Sequence, residues 1–473
     1  MVTETADVVI IGGGISGLGA AHWLVKAGLN VRVIEQESEP GGTMKTRSEE
    51  GFLSELGPNS ALETTPLIAA LVSDLRLSDD LIYANPVSKN RFILKNGRLR
   101  ALPLSPLSFF TTDLFSISAK FRLLKEPFVG RSLQEESIAD FVTRRLGKEF
   151  LDYAIDPFVA GIFAARPEAL SVRAAFPKLY ALEETYGGLI KGMIFGRKKR
   201  KARQEQSKDR AKSFSFRDGM QSLPLRLGST LGMRVSCNAQ ATGIRVRSSI
   251  ADRAVVPTTR QYAVDYLHGE QGKTIEANAV IIATPAGTAA RLIQPHSAEA
   301  SGELASIKYP PVVSVFLGYR RHEIGIPLNG FGFLVPSLEK KNILGCLWSS
   351  SLFPHRAPDG CVGLTVFVGG GRQPELTGAG DGELLTMVLR DLETIMQIQG
   401  KPVYWSMTRW PQAIPQYVLG YQRVMDALRD FEQAHPGLFF CSNFRGGISV
   451  GDCIQNSESI ARQVMTSMND VTR

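Results

Sequence analysis

Two glycine-rich stretches at opposite ends of the chain carry the residue types that could bind phosphate. The first is Gly12-x-Gly14-x-x-Gly17, and the second is "NFRGGISVGD" at residues 443–452. A glycine turn between a strand and a helix lets a phosphate approach the backbone and the free N–H groups of the helix. Glu35 lies eighteen residues after Gly17 and can accept hydrogen bonds from ribose hydroxyls. This spacing predicts a dinucleotide site.

The elements around the first motif follow from its hydrophobic pattern. The run "DVVII" is typical of a buried parallel strand, "SGLGAAHWLVKAG" predicts a helix, and "NVRVIE" predicts a second strand. A lone glycine motif is weak evidence, but here strand, turn, helix, strand and acid follow one another in the expected order. The motif by itself leaves NAD and FAD as alternatives.

The composition is that of a globular protein. The chain has 473 residues, of which 44% are hydrophobic and 21% charged, so we expect two or three domains. Of the net charge of +8, residues 197–212 ("RKKRKARQEQSKDRAK") carry +7. The rest of the chain is therefore nearly neutral, and we expect no nucleic-acid partner. A run of this kind is typical of a solvated loop; the alternative is a patch that faces anionic lipid.

The remaining reactive side chains are scattered. The five cysteines include no CxxC pair, and the six histidines form no cluster, which indicates a reduced protein without a metal site. The first residues show no signal-peptide pattern, and no run of 18 apolar residues predicts a spanning helix. We find no Ser-His-Asp grouping and therefore name no catalytic residue.

Several other segments have readable patterns. Residues 61–85 are predicted to be helical, "NRFILKNGRLRALP" predicts a hairpin that turns at Asn96–Gly97, and residues 311–371 are rich in strands. Apolar residues spaced by four and three predict one helix with a stripe of Phe110, Leu114, Ile117, Phe121 and Leu124. Such a helix either packs on the core or lies on a membrane surface.

The segment after Glu35 favours FAD, because "SEPGGTMKTRSEEGFLSELGPNS" is similar to FAD enzymes of the amine-oxidase type and shows no regular βα units. The whole chain resembles the protoporphyrinogen IX oxidase family, nearest its plastid-like and bacterial forms. Besides the N-terminal motif, the resemblance is carried by "ELGPNS", "NRFILKNG", "YPPVVSVFLGY", "GFGFLVPS", "LGCLWSSSLFPHRAP", "FVGGG", "WPQAIPQY" and "GLFFCSNFRGGISVGDCI". It fades over the basic run.

The fold implied by the resemblance is α/β: a discontinuous Rossmann-like FAD-binding domain, a β-rich substrate domain and a helical membrane-binding region. We predict that the FAD-binding domain comprises residues 1–88, 214–298 and 419–473, the helical region 89–213 and the substrate domain 299–418. The last strand and helix would return to the sheet of residues 1–35, which explains why a glycine turn lies so near the end.

The resemblance also implies site residues, position by position. It implies contacts with non-covalently bound FAD at Gly12, Gly13, Gly14, Ile15, Ser16, Gly17, Glu35, Gln36, Thr43, Gly57, Pro58, Asn59, Ser60, Ala241, Trp410, Ile448, Ser449 and Val450. Substrate contacts are implied at Arg91, Gly332, Leu334, Leu347 and Phe367. A porphyrinogen is a wide apolar ring with carboxylates at its edge, which suits apolar walls and one cation.

The reaction implied is a six-electron oxidation of protoporphyrinogen by hydride transfer to FAD, with molecular oxygen as acceptor and hydrogen peroxide as product. The resemblance further implies peripheral contact with the inner face of a bacterial cell membrane or with a plastid membrane. Hand-off of product to a ferrochelatase or magnesium chelatase and a homodimer are further expectations. The alternatives are a coproporphyrinogen III oxidase, an amine oxidase, a carotene desaturase and a flavin-binding scaffold without activity.

Overall fold

A parallel sheet of five short strands joins distant parts of the chain. The computed structural model describes residues 4–195, 211–246 and 261–471. The strand order is Val235–Ser236, Val31–Ile34, Val8–Ile11, Ala279–Ile282 and Leu438–Phe440. Ile282 pairs with Ile11 on one side and with Phe440 on the other. The prediction that the last strand returns to the first sheet is confirmed.

Helices cover this sheet, as its fully buried strands require. The first helix, Ile15–Lys26, packs against the last, Val450–Val471. A β-carbon added to Gly19 would come within 2.5 Å of Ser457 Oγ, so the two helices approach closely at this glycine. The strand, helix and strand predicted for residues 8–35 are confirmed.

Smaller sheets flank the parallel sheet. A four-stranded sheet contains Glu4–Thr5, Gln271–Ala277, Tyr262–His268 and Ala239–Val246. A three-stranded sheet contains Ala61–Leu62, Ser213–Phe216 and Leu81–Tyr83, and Thr46–Glu49 pairs with Phe52–Glu55. The helix predicted over residues 61–85 is therefore wrong at both ends, since only Pro66–Asp74 is helical. Strand pairing with Ser213–Phe216 overrides the local helical pattern there.

A seven-stranded sheet forms the second large layer. Its order is Tyr404–Trp410, Val312–Arg320, Cys361–Gly369, Ile343–Leu347, Gly332–Leu334, Phe92–Lys95 and Arg98–Ala101. Helix Asp381–Met396 packs on one face of this sheet through Leu384, Val388 and Leu392. The predicted hairpin at Asn96–Gly97 is confirmed, and its strands extend this sheet.

Residues 106–195 are mostly helical. The helices are Pro106–Thr111, Ile117–Leu123, Ile138–Arg145, Lys148–Phe150, Asp156–Phe163, Val172–Ala175, Pro177–Tyr186 and Leu189–Phe195, with a π-helical turn at Leu151–Ile155. The single helix predicted to carry the apolar stripe is wrong. The chain breaks between Thr111 and Ile117, where Leu114 turns into the core, while the other four stripe residues are exposed.

The remaining elements connect these layers. The other α-helices are Ser222–Leu231, Ala286–Ile293, Ala298–Ala305, Ser349–Leu352 and Tyr421–Ala434. The 3-10 turns are Pro86–Lys89, Glu126–Phe128, Gly232–Arg234, Arg321–Glu323, Ser337–Glu339 and Pro374–Gly378.

Three further sequence predictions concern a membrane-spanning helix, the basic run and the domain boundaries. Within the described ranges, no helix has the length and apolar character needed to cross a bilayer. The basic run at residues 197–212 lies outside the described residues except for its last two positions. The proposed domain boundaries stay predictions.

Candidate functional site

The first glycine turn leaves the parallel sheet at its carboxyl edge. Gly12 N–H donates to Ile34 O at 2.8 Å, and Gly13 N–H donates to Glu35 Oε2 at 2.5 Å. Glu37 N–H donates to the other carboxylate oxygen of Glu35 at 2.9 Å. Glu35 is 6% exposed and is thus fixed by two backbone groups beside the turn. A carboxylate has about four acceptor positions, so it can still accept ribose hydroxyls.

Gly14 borders open space, whereas its neighbour Gly13 does not. A β-carbon added at Gly14 meets no atom within 4 Å, whereas one at Gly13 would lie 2.9 Å from Glu35. Helix Ile15–Lys26 begins at this point without a side-chain cap, so its first N–H groups can receive an anion.

A second segment of the chain, at Gly41, lies over this turn. Gly41 forms an isolated parallel bridge with Gly14, and Gly41 N–H donates to Gly13 O at 2.9 Å. Gly57 lies against Thr43, since a β-carbon on Gly57 would be 1.9 Å from the Thr43 carbonyl oxygen. The structure therefore places Gly41 against the first glycine turn, and it places Gly57 against Thr43, two residues further along.

Trp410 joins this layer from the seven-stranded sheet. Its indole N–H donates to Leu56 O at 2.7 Å, one residue before Gly57. In the residues that follow, the side-chain N–H of Asn59 donates to Gly57 O at 3.2 Å. The hydroxyl of Ser60 accepts from Ser213 Oγ at 3.1 Å. Residues 56–60 are thus held by Trp410 and Ser213 from distant parts of the chain and by Asn59 within the segment.

Ala241 lies on the far side of Glu35. Its strand begins where Ala239 N–H donates to Glu35 O at 2.8 Å. An open depression of about 390 Å³ lies at this end of the parallel sheet. It is lined by Gln36, Glu37, Asn238, Gln240, Leu267 and Gly269.

The second glycine turn follows strand Leu438–Phe440 at the same edge of the sheet. Ser449 Oγ accepts from Asp452 N–H at 3.2 Å and donates to Asp452 Oδ2 at 2.6 Å, which caps the last helix. A β-carbon on Gly451 would lie 2.8 Å from Thr64 Oγ1, so the helix start is close to the segment after Ser60. Both glycine turns therefore lie at the carboxyl edge of the same parallel sheet.

The predicted cofactor residues differ in exposure. Partly exposed are Gly12, Gly14, Gly57, Pro58, Asn59, Ser60, Ala241, Trp410, Ile448 and Ser449. Gln36 and Thr43 are exposed, and Gly13, Ile15, Ser16, Gly17, Glu35 and Val450 are buried. These exposures describe where the residues lie, and their contacts with a cofactor stay predictions.

Four of the five predicted substrate residues share one face of the seven-stranded sheet. Gly332 pairs with Leu347, and Phe367 pairs with Gly345 on the next strand. The neighbours of Leu334, Leu347 and Phe367 along each strand pack with helix Asp381–Met396. Because side chains alternate between faces, these residues point to the opposite face, where Trp410 also lies.

Arg91 immediately precedes strand Phe92–Lys95 at the end of this sheet. Its guanidinium lies 5.0 Å from the centroid of the Phe331 ring, next to Gly332. The sheet thus places Leu334, Leu347 and Phe367 on one face, with Arg91 at one end of the sheet and Trp410 at the other.

A model of the flavin containing amine oxidoreductase family matches residues 15–465. The chain belongs to this family. Protoporphyrinogen oxidase 2, chloroplastic/mitochondrial, of Arabidopsis thaliana is 33% identical to it, over 97% of this chain and 94% of the relative. Coproporphyrinogen III oxidase of Bacillus subtilis strain 168 is 27% identical, over 97% of this chain and 98% of the relative.

Solved structures agree on the fold. A crystal structure from Exiguobacterium sp. 255-15 superposes with a TM-score of 0.78 at 22% identity, covering 98% of this chain and 99% of that one. Cyclohexylamine oxidase from Brevibacterium oxydans IH-35A superposes with a TM-score of 0.67 at 16% identity, covering 98% and 100%. The α/β fold is that of the flavin containing amine oxidoreductases, and this member is an FAD-dependent oxidoreductase.

The residues present fit FAD. The open space at Gly14, the uncapped helix start after it and the buried Glu35 are the features that a dinucleotide requires. Cys441 and Cys453, the cysteines nearest the C-terminal turn, are buried, and Cys441 Sγ lies 3.8 Å from Ser16 O. Burial raises the pKa of Cys453 to about 11, so its thiol stays protonated at neutral pH.

Sequence reasoning missed a buried polar network beside the cofactor segment. Glu55 accepts from Thr46 Oγ1 at 2.7 Å and from Met220 N–H at 2.9 Å, and Arg356 Nη2 lies 3.4 Å from it. Arg356 also donates to Ser215 Oγ at 2.7 Å. Burial raises the pKa of Glu55 to about 7. The signal was present, because Arg356 lies in "SSSLFPHRAP" and Glu55 in "ELGPNS".

Proposed function

We propose that this protein oxidises protoporphyrinogen IX to protoporphyrin IX, with FAD as cofactor and oxygen as electron acceptor, in porphyrin biosynthesis. The carrying observation is the sheet face that holds four of the predicted substrate residues, with Arg91 at one end and Trp410, bonded to Leu56, at the other. The plant relatives named protoporphyrinogen oxidase, at 33% identity over nearly the whole chain, support this substrate.

Each part of the face has a task in holding a porphyrinogen. Leu334, Leu347 and Phe367 form an apolar wall for the macrocycle, whose burial is favourable by about 25 cal/mol per Å². Arg91 binds a propionate with a planar guanidinium that can hold a carboxylate through two hydrogen bonds. The ring is thereby oriented with its far edge toward the segment at Leu56.

When bound, FAD supplies the chemistry: it accepts two electrons as hydride in each of three rounds and passes them to oxygen, giving hydrogen peroxide. The protein would hold it through the two glycine turns, Glu35 and residues 57–60. We assign no side chain as catalytic acid or base. We further propose that the FAD is non-covalent, since Cys441 and Cys453 are buried in the hydrophobic core.

Coproporphyrinogen III is the second candidate, because relatives of that name match at 27% and 26% identity. Its four carboxylates should require more than one cation. The plant relatives named protoporphyrinogen oxidase match at a higher identity, 33% and 32%, which favours the substrate with two propionates.

An aerobic assay with both porphyrinogens tests the proposal. We expect porphyrin fluorescence to rise faster with protoporphyrinogen IX, and equal amounts of FAD-saturated protein should be compared at several substrate concentrations. Faster turnover of coproporphyrinogen III would move the assignment to that substrate. Oxidation of an amine or a carotene, or a bound flavin that no porphyrinogen reduces, would contradict it.

A peripheral membrane contact is supported by an apolar surface on the helical region. Its residues are 53% to 88% exposed: Leu107, Phe110, Ile117, Phe121, Leu124, Phe128, Met193, Ile194 and Phe195. Contiguous apolar residues that are exposed on a protein mark an interaction surface. We propose that this apolar surface lies on a membrane, the inner face of the cell membrane in a bacterium or a plastid membrane in a plant.

A buried ionic cluster holds the parts of the apolar surface together. Arg145 bonds Glu126 Oε1 at 3.0 Å and Glu183 Oε1 at 2.6 Å, and both Arg145 and Glu126 have no exposed area. Glu126 also accepts from Leu189 N–H at 2.7 Å, at the start of the helix that carries Phe195.

Product hand-off to a metal-inserting chelatase and homodimer formation are further proposals for this enzyme.

A further inference from the structure

One buried hydroxyl spans the C-terminal glycine turn. Tyr417 Oη donates to Asn443 O at 2.6 Å and accepts from Gly447 N–H at 3.2 Å. Tyr417 is 4% exposed, and burial raises the pKa of its hydroxyl, so the proton needed for the first bond is retained. The hydroxyl therefore fixes both ends of residues 443–447, immediately before Ile448.

The tyrosine itself is anchored outside the turn. Ser171 N–H donates to Tyr417 O at 2.8 Å, and the neighbouring Gln416 donates its side-chain amide to Phe163 O at 2.8 Å. The Tyr421 ring lies 4.7 Å from the Tyr417 ring, centroid to centroid. These contacts tie Tyr417 to the helical region, which gives the turn an external point of reference.

We propose that Tyr417 is a positioning residue for FAD, whose hydroxyl sets where the N–H groups at the start of helix Val450–Val471 meet the cofactor. The inference rests on the proposed contacts of residues 448–450 with the flavin. Loss of the hydroxyl leaves Gly447 N–H and Asn443 O without this partner and lets the helix start shift. A reduced flavin carries more negative charge than an oxidised one, so it is stabilised more by nearby N–H dipoles.

The chain offers a matched control at the other end of the same strand. Tyr262 Oη donates to Pro436 O at 2.6 Å, two residues before strand Leu438–Phe440, and Tyr262 is 1% exposed. Its hydroxyl therefore makes the same kind of buried hydrogen bond, but to the residues that precede this strand. Cofactors bind at the carboxyl end of parallel strands, and Tyr262 lies at the amino end.

The experiment compares Tyr417→Phe and Tyr262→Phe with the wild-type full-length protein. The measurements are the FAD dissociation constant, from the fluorescence of released flavin, the midpoint potential of the bound flavin and the unfolding midpoint of the apoprotein. We expect Tyr417→Phe to weaken FAD binding by about 2- to 10-fold, the range for one or two hydrogen bonds. Its flavin potential should become more negative, while Tyr262→Phe leaves both flavin values unchanged.

The outcomes separate this inference from the proposed function. A wild-type protein that binds no FAD would contradict the function itself. A wild-type protein that binds FAD, with a Tyr417→Phe variant of equal affinity and potential, would overturn only the role of Tyr417, as would equal losses in both variants. If Tyr417→Phe does not fold, Tyr421→Phe tests the same turn, because Tyr421 Oη donates to Phe444 O at 2.6 Å. Unchanged flavin values in that variant would then overturn the inference.

Discussion

Gly17 lies directly against the carbonyl oxygen of Gly12: a β-carbon added to Gly17 would be 2.0 Å from that oxygen. The helix that begins at Ile15 thus contacts the strand end with no room for a side chain. Gly14, between them, has no atom within 4 Å of its added β-carbon. The glycines of one motif therefore serve different ends, Gly17 for packing and Gly14 for ligand access.

Gly14→Ala should separate cofactor binding from folding. The backbone at Gly14 has φ of −74°, which alanine adopts readily, so the apoprotein should keep its stability or gain up to about 1 kcal/mol. Its FAD affinity should fall at least about tenfold, the equivalent of about 1.4 kcal/mol. Gly17→Ala should instead lower the free energy of unfolding by more than about 1 kcal/mol, within the range for overpacking. Unfolding curves and FAD titrations check both variants, and an unchanged FAD affinity in Gly14→Ala would contradict the site.

Arg91→Ala should weaken use of protoporphyrinogen IX by about 10- to 150-fold, because a charge-assisted hydrogen bond contributes about 1.5–3 kcal/mol. Most of the loss should appear in KM, since the carboxylate is remote from the reacting carbon. Arg91→Lys should recover part of it. Arg98→Ala, on the same hairpin, is the matched control and should leave KM unchanged. A normal KM in Arg91→Ala, or loss of its FAD, would show that the assignment is wrong.

Polar substitution of the apolar surface should release the protein from vesicles. Burying one large apolar side chain contributes about 1.5–3 kcal/mol, so Phe110→Ser with Phe121→Ser should weaken binding to anionic vesicles by more than about tenfold. Leu114→Ala is the control, because Leu114 is fully buried between the two helices. It should cost about 2–5 kcal/mol of stability with little effect on vesicle binding of the folded protein. Sedimentation with vesicles measures this, and a wild-type protein that stays in the supernatant would refute the membrane contact.

Glu55 should make stability depend on pH. Its pKa is raised from 4.5 to about 7, chiefly by burial, so the folded protein holds a proton there that the unfolded chain has lost. The stabilising contribution is full below pH 4.5. This contribution is lost as the pH rises through about 7. Above that value, Glu55 no longer makes the free energy of unfolding depend on pH. Relative to Glu55→Gln, the wild type should lose about 2–3 kcal/mol between pH 5 and pH 8.

Denaturant unfolding at a series of pH values checks this difference. Glu49→Gln, on the neighbouring strand, is the control for removing a carboxylate at an exposed position. A constant difference between wild type and Glu55→Gln across this range would mean that the pKa of Glu55 is not raised in the folded protein.

Local patterns predicted the parts of the fold whose stability is local. The strand, helix and strand of residues 8–34 and the hairpin at Asn96–Gly97 were predicted because short-range periodicity and turn chemistry specify them. Local patterns failed where long-range pairing or burial decides. Residues 81–83 form a strand because Ser213–Phe216 lies beside them, and the apolar stripe breaks because Leu114 finds a buried position.

The sequence by itself determined the cofactor class, the two glycine turns and Glu35, since a dinucleotide site is built from backbone groups at fixed short spacings. Only the tertiary structure decided which distant side chains hold those turns in place. Trp410 reaches Leu56, Arg356 reaches Glu55, and Tyr417 spans Asn443 and Gly447. The physical reason is that a buried hydrogen bond depends on where two surfaces meet after packing, and the spacing between its partners along the chain carries no information about that.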